Sequence, residues 1–291
     1  MENISDPYTI AYPEIVAVAA EDGQAIELVE TFDCVGGAMW AQHHYRKSPV
    51  VKSVRLVGTT SRYMLSPGSA DLGLQGSVFP AGIAAAGIGD TGIFITYRGL
   101  GGGGVGASIC RSCARGVIRS TTDPSGGGKE AGSTIWLPRR SRVLIGIDDT
   151  DTPEEGATWT LAHNIARAVS DDATRYLSHT IVQLYPVPYR TKNCVAIVCE
   201  FATTNPAACA DSFQALLERY TLSDETGMAV YSGFDPSGLI PFGRSVKAGE
   251  VTAAAVDGVR PLVDVRMNGR GIVGAIAAIP FYTRYDEALS L

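Results

Sequence analysis

The sequence predicts an α+β protein built from two α/β domains that meet near residue 140. Three observations carry this. The 291 residues are 45% hydrophobic and 19% charged, which suits a folded chain with one large or two ordinary cores and excludes a disordered or collagen-like one. The stretch 121–132 (TTDPSGGGKEAG) offers little to pack and reads as a linker or mobile loop. Beyond it, apolar periodicity runs β-α-β-β-α-β, the order of a split βαβ or ferredoxin-like unit.

In the first half, the apolar runs 14–20, 25–29, 50–57 and 93–97 read as strands between irregular glycine-rich turns. Their order in a sheet is not set by the pattern. Residues 99–106 (GLGGGGVG) precede an apparent helix at 108–118 that carries Arg111 and Arg115. This run lacks the Gly-Lys-Ser/Thr ending of a Walker loop and reads as a lid or substrate loop. In the second half, 143–147 (VLIGI) is a fully apolar strand, and 159–169 is a helix with Leu161, Ile165, Ala168 and Val169 on one face. Strands at 180–185 and 195–201 follow. A helix opens at Asn205-Pro206, where a capping side chain precedes a first-turn proline. A strand at 229–232 completes the unit, and 248–258, 262–266 and 272–279 extend it.

The chain holds 33 glycines, where the usual frequency of about 7% would give about 20. Twenty-two of them precede residue 141. The net charge of -6 argues against a protein that coats nucleic acid. The longest apolar stretch, 78–88, is interrupted by Pro80, Gly82 and Gly87 and falls short of the roughly 20 residues of a membrane helix. The start Met1-Glu2-Asn3 lacks the basic charge of a secretory leader, and the six cysteines are scattered, as suits a reducing cytoplasm. Cytoplasmic localisation without a membrane partner is therefore expected.

The sharpest motif is Asp148-Asp149-Thr150-Asp151 at the end of a buried strand. Clustered carboxylates repel unless a cation or proton relieves them, and magnesium favours carboxylate and phosphate oxygens. An acidic turn leading into the next helix explains the same residues. Gly156, Thr158 and Thr160 stand at that helix start, where they cap it or meet a phosphate. Arg190, Lys192 and Asn193 lie in a turn between strands, either solvated or paired with phosphate oxygens. Gly269-Arg270-Gly271 is a packed turn or a loop for close phosphate approach. His43-His44 point different ways on regular structure, Cys110 and Cys113 lack the further ligands of a zinc site, and His163 is a candidate for the same crevice as Asp148.

Taken in order, IGIDDTD, EGATWT, PVPYRTKN and NGRGIVGAIAAI resemble the kinase-like domain of archaeal tRNA-Ile agmatidine synthetases over residues 142–280. The full chain resembles methanogenesis marker protein 11. The synthetase resemblance implies an unusual kinase fold that uses Mg-ATP to phosphorylate a cytosine carbonyl before agmatine displaces the phosphate. On that resemblance Asp148, Asp149 and Asp151 are the catalytic and magnesium-binding residues. Gly156, Thr158, Thr160, Arg190, Lys192, Asn193, Gly269, Arg270 and Gly271 are the nucleotide-binding ones. Trp159 stands where the synthetases carry a threonine implicated in autophosphorylation, and the sequence after the domain shows no nucleic-acid-binding module or zinc ribbon.

The expected organisation is thus a glycine-rich α+β domain of unknown role at 1–140 and a Mg-ATP-binding, kinase-like domain at 141–291. The expected function is an ATP- and Mg²⁺-dependent phosphotransferase that activates a carbonyl or amide oxygen of a small-molecule or protein substrate in methanogenesis. A non-catalytic nucleotide-binding assembly or sensor protein, and an RNA modification enzyme acting with a partner, stay open. So does a homo-oligomer.

Overall fold

Apolar runs in the first half of the chain pair into two antiparallel sheets. The computed structural model describes residues 7–90 and 92–291, so the Met1-Glu2-Asn3 start lies outside the described residues. The chain divides into two units, Met1–Arg140 and Ser141–Leu291. In the first unit, β1 (Glu14–Ala19), β2 (Ile26–Thr31), α1 (Val35–Tyr45), β3 (Val51–Val57) and β4 (Thr60–Leu65) form a sheet of order β1-β2-β4-β3 with one helix. Next come β5 (Gly68–Ser69), β6 (Ala81–Gly89), β7 (Gly92–Leu100), α2 (Gly102–Ala107), α3 (Ile109–Ser112), β8 (Arg119–Thr122) and β9 (Glu130–Leu137). Their sheet runs β5-β6-β7-β9-β8. Ile15, Leu28 and Tyr63 of one sheet share a core with Ile83, Ile95 and Ile135 of the other. The Arg111 guanidinium is buried there, and its Nε and Nη2 donate to the two oxygens of Glu30 at 2.9 Å each.

Three expectations for this unit are corrected. The stretch 121–132 is no linker: it holds the turn of the β8–β9 hairpin, with Thr121 opposite Thr134 and Thr122 opposite Ser133. Polar β-branched residues serve a ladder without leaving an apolar signal. Residues 99–106 form no lid, because β7 runs to Leu100 and α2 begins at Gly102. A Cβ on Gly99 would lie 2.5 Å from the Gly103 carbonyl oxygen, and one on Gly104 would lie 2.9 Å from that of Gly99, so these glycines let helix and strand backbones touch. The helix expected at 108–118 lasts only four residues. The chain leaves it to bring Gly116, at φ +96, against the Ile15 carbonyl, while Ile15 N–H donates to Arg115 O at 2.9 Å.

The second unit runs β10 (Ser141–Asp148), α4 (Thr158–Val169), β11 (Thr174–Gln183), β12 (Val195–Thr203), α5 (Pro206–Tyr220) and β13 (Gly227–Ser232), which is the β-α-β-β-α-β order. Then follow α6 (Ile240–Ala248), β14 (Asp264–Asn268), α7 (Ile272–Ala278) and α8 (Tyr285–Leu289). The sheet β11-β12-β10-β13-β14 is antiparallel throughout, and its first four strands have the ferredoxin-like arrangement. Asn205 caps α5 by accepting from Ala208 N–H at 3.2 Å. β11 begins at Thr174, ahead of the run expected at 180–185, and 248–258 holds only a short 3₁₀ segment.

β10 is apolar along its whole length because both faces of the sheet are covered. Val143, Ile145 and Ile147 pack with Ala162 and Ile165 of α4 and with Phe213 and Leu217 of α5. Leu144 faces the other way, toward Ile272, Ala275 and Ile276 of α7. On that second face α7 lies directly on strand backbone. A Cβ on Gly146 would sit 1.9 Å from Ala275 O, and one on Gly227 would sit 2.1 Å from Ile272 N. No helix among the described residues is long and apolar enough to cross a membrane.

Candidate functional site

β10 is the central strand of its sheet, and its end delivers Asp148 and then Asp149 to a cavity of about 300 Å³. Asp149 takes φ 53, a left-handed conformation that aspartate tolerates better than most residues. Four threonines hold this segment: Thr150 Oγ1 donates to Thr158 Oγ1 at 3.1 Å, Thr226 Oγ1 donates to Asp149 O at 3.0 Å, and Thr221 Oγ1 donates to Thr150 O at 3.3 Å.

Asp148 Oδ1 accepts the Asp149 N–H at 2.9 Å. Its other oxygen occupies the space that a side chain at residue 274 would take, 1.9 Å from the ideal Cβ of Gly274. Burial pushes the Asp148 carboxyl well above the usual carboxylate range, aided by the charges of Asp149 and Asp151 and opposed by the Asp149 N–H. Burial also raises Asp149. There Arg270, with Nε 3.9 Å from Oδ2, pulls downward, while Asp151 and Glu225 add to the rise.

The opposite charges come from two loops. The β11–β12 connection places Tyr189, Arg190 and Asn193 on the cavity wall. Arg190 Nη1 is tied to Val187 O at 2.9 Å. The loop before α7 brings Arg270, whose guanidinium carbon lies 5.1 Å from the Tyr189 ring centre. Glu225 anchors that loop, accepting from Arg270 N–H at 2.8 Å through Oε2 and from Gly271 N–H at 2.9 Å through its backbone carbonyl.

Asp148, Asp149, Arg190, Asn193 and Arg270 therefore share one cavity, and the other named residues do not line it. Asp151 is buried; its Oδ1 accepts from Thr191 Oγ1 at 3.4 Å and its Oδ2 lies 3.9 Å from Lys192 Nζ. Lys192 Nζ donates to Gly156 O at 3.0 Å. Gly156, at φ +90, lets the chain pass against Asp151. Thr158 is held by Thr150, and Thr160 Oγ1 donates to Ala157 O at 2.9 Å. Gly269 and Gly271 are glycine because Glu225 and Asp148 backbone crowd them. Among the described residues no group of three or more His, Cys, Asp or Glu is arranged to hold a metal ion, so a three-carboxylate cage at 148, 149 and 151 is not formed.

His163 is also elsewhere. Its Nδ1 lies 3.0 Å from the Tyr176 hydroxyl, which lies 2.7 Å from Nδ1 of His179. Burial, with His163 nearby, lowers the pKa of His179. The folded unit thus favours neutral His179, the unfolded chain binds the proton more readily, and stability falls as pH drops through the ordinary value of 6.5. Urea midpoints at pH 7.5 and 5.5 are expected to differ less in His179→Gln than in the parent protein.

Sequence reasoning missed the rest of the wall: Val246, Glu250, Val251 and Thr252 at and beyond the end of α6, and Cys194, whose Sγ accepts from Val187 N–H at 3.3 Å. No periodicity or motif marks these residues. They add apolar surface to the charged end, so the cavity combines carboxylates, guanidinium groups and an apolar wall.

The fold and site define an α+β protein whose second unit matches, over residues 144–210, the model of the TiaS TCKD domain family. Solved structures similar to part of the chain are a complex of TiaS with an isoleucine tRNA and ATP, at 23% identity and TM-score 0.43, and a tRNA fluorescent labeling enzyme, at 23% identity and TM-score 0.42. Each similarity covers 48% of this chain and only 36% of the other. The uncharacterized protein MJ0921 of Methanocaldococcus jannaschii is 38% identical over 295 residues, covering 97% of this chain and 98% of that protein. The chain belongs to the MJ0921 family.

Proposed function

We propose that the second unit binds ATP as its magnesium complex and activates a carbonyl or amide oxygen by phosphorylating it. The cavity shared by Asp148, Asp149, Arg190 and Arg270 carries this reading, and the match of residues 144–210 to the TiaS TCKD domain supports it. Magnesium uses one or two carboxylates and keeps its other positions for water and phosphate oxygens. Asp148 and Asp149, two adjacent carboxylates raised by burial, fit that donor set and would hold the ion. When bound, magnesium neutralises phosphate charge during transfer. Arg190 and Arg270 would bind phosphate oxygens through their planar donor forks. Val187, Val246 and Val251 would exclude water around the base. Asp151, Lys192 and Thr158 would act by positioning, since they join the acidic turn to the hairpin loop.

Calorimetric titration with ATP, with magnesium and with EDTA, tests this. Asp148→Asn is expected to weaken Mg-ATP binding at least tenfold, about 1.4 kcal/mol. Without ligand the same variant is expected to melt at a higher temperature, because a buried carboxylate crowded by like charge is gone. Unchanged affinity and turnover in the variant would reject the reading.

The resemblance to methanogenesis marker protein 11 leads us to propose, as acceptor, a methanogenesis enzyme or cofactor during its maturation. Transfer of label from γ-labelled ATP to a component of methanogen extract tests that step, whereas tight nucleotide binding without transfer would point to a sensor or assembly role. A TiaS-like RNA acceptor, gripped by a partner, would instead give tRNA retention that weakens steeply with salt.

A further inference from the structure

The first unit holds a second cavity, of about 840 Å³, which gathers two sequence features that the nucleotide reading leaves unused: His44 of the His43-His44 pair and the 99–106 glycine run. Three glycines on its wall, Gly76, Gly102 and Gly128, have no positive φ, and a Cβ added to any of them would meet nothing within 4 Å. Neither backbone geometry nor packing calls for glycine at these places. Gly102 even opens a helix, where glycine is a poor choice. What the three have in common is that they leave the cavity open.

The side chains on the wall indicate what it admits. Trp40 is 42% exposed, unusual for the largest apolar side chain, and its ring lies 4.4 Å from that of His44. His44 is only 7% exposed and its buried Nδ1 has no hydrogen-bond partner. Burial, helped by His43 and Lys47, lowers its pKa, which keeps the ring neutral. Among the described residues Arg111 is the one charged side chain on the wall, and Glu30 neutralises it through two hydrogen bonds. The lining thus offers no spare charge to an anion or a cation. It offers an indole face, a neutral imidazole and glycine backbone that a flat molecule can approach closely.

We infer that this cavity binds an uncharged, planar heteroaromatic ring, stacked on the Trp40 indole and hydrogen-bonded to the His44 imidazole. The site is separate from the nucleotide cavity and does not depend on that assignment.

Saturation-transfer NMR and fluorescence quenching on the full chain test it with three neutral probes, lumichrome, caffeine and nicotinamide, beside anthraquinone-2-sulfonate as a planar anion. At least one neutral probe is expected to bind and to quench tryptophan emission. Trp40→Ala is expected to weaken that binding at least tenfold, and Gly102→Leu to weaken it similarly by filling the cavity, with a melting temperature no lower than that of the parent protein. Absence of binding by all three neutral probes would overturn the inference. Equal binding of the sulfonate, or affinity unaltered in both variants, would overturn it as well.

Discussion

Replacing Gly274 by alanine is expected to weaken Mg-ATP binding by the second unit severely while leaving its fold in place. The new Cβ would fall 1.9 Å from Asp148 Oδ2 and 3.0 Å from Leu184 Cδ1, so the atoms it crowds most belong to two side chains. Side-chain ends can turn away. Asp148 would leave its place over α7 and give up the Asp149 N–H, which costs about 1–3 kcal/mol as ordinary overpacking does. Nucleotide affinity is expected to fall at least a hundredfold, about 2.7 kcal/mol. Calorimetry beside a urea melt separates the two effects: normal binding in a folded variant would show that the position of Asp148 is not what the ligand needs.

Gly146→Ala is expected to fail in the opposite way, by unfolding the second unit. Its Cβ would lie 1.9 Å from Ala275 O and 2.7 Å from Ala275 C, both backbone atoms in the middle of α7. The helix would have to lift from β10, and Ile272, Ile276 and Ala278 would lose their packing. A loss of about 3 kcal/mol or more is expected, at the upper end of overpacking costs. Gly258→Ala, where a Cβ meets nothing within 4 Å, is the matched control and should change stability by less than about 0.5 kcal/mol. Urea denaturation followed by circular dichroism reads both.

The contrast between these glycines shows what sequence conveys. The order of elements in the second unit was legible because VLIGI is apolar on both faces, Asn205-Pro206 opens α5 by its own chemistry, and α4 carries a clear apolar stripe. In the first unit β6 reads AGIAAAGIG and α2 reads GGGVGA, compositions with no intrinsic leaning toward strand or helix; contact with neighbouring backbone decides both. At the candidate site, Asp148, Asp149 and Arg270 stand out as charged residues beside apolar runs. That Asp151 lies off the cavity wall, beside Thr191 and Lys192, and that Asp149 takes a left-handed conformation, no spacing rule reveals. Glu250 and Val251 reach the wall because α6 ends there, and the length of α6 leaves no mark in their own types.

Each of the three sheets draws its strands from one unbroken stretch: β1 to β4 within 14–65, β5 to β9 within 68–137, and β10 to β14 within 141–268. The longest reach within a sheet is from β10 to β13, which sets Val143 opposite Ser232. During synthesis, each sheet has all its strands in hand as soon as its segment clears the ribosome, so the first unit can close its core before the second unit has emerged. A chain ending at Arg140 carries every strand of both early sheets, so the order of synthesis allows the first unit to assemble ahead of the second.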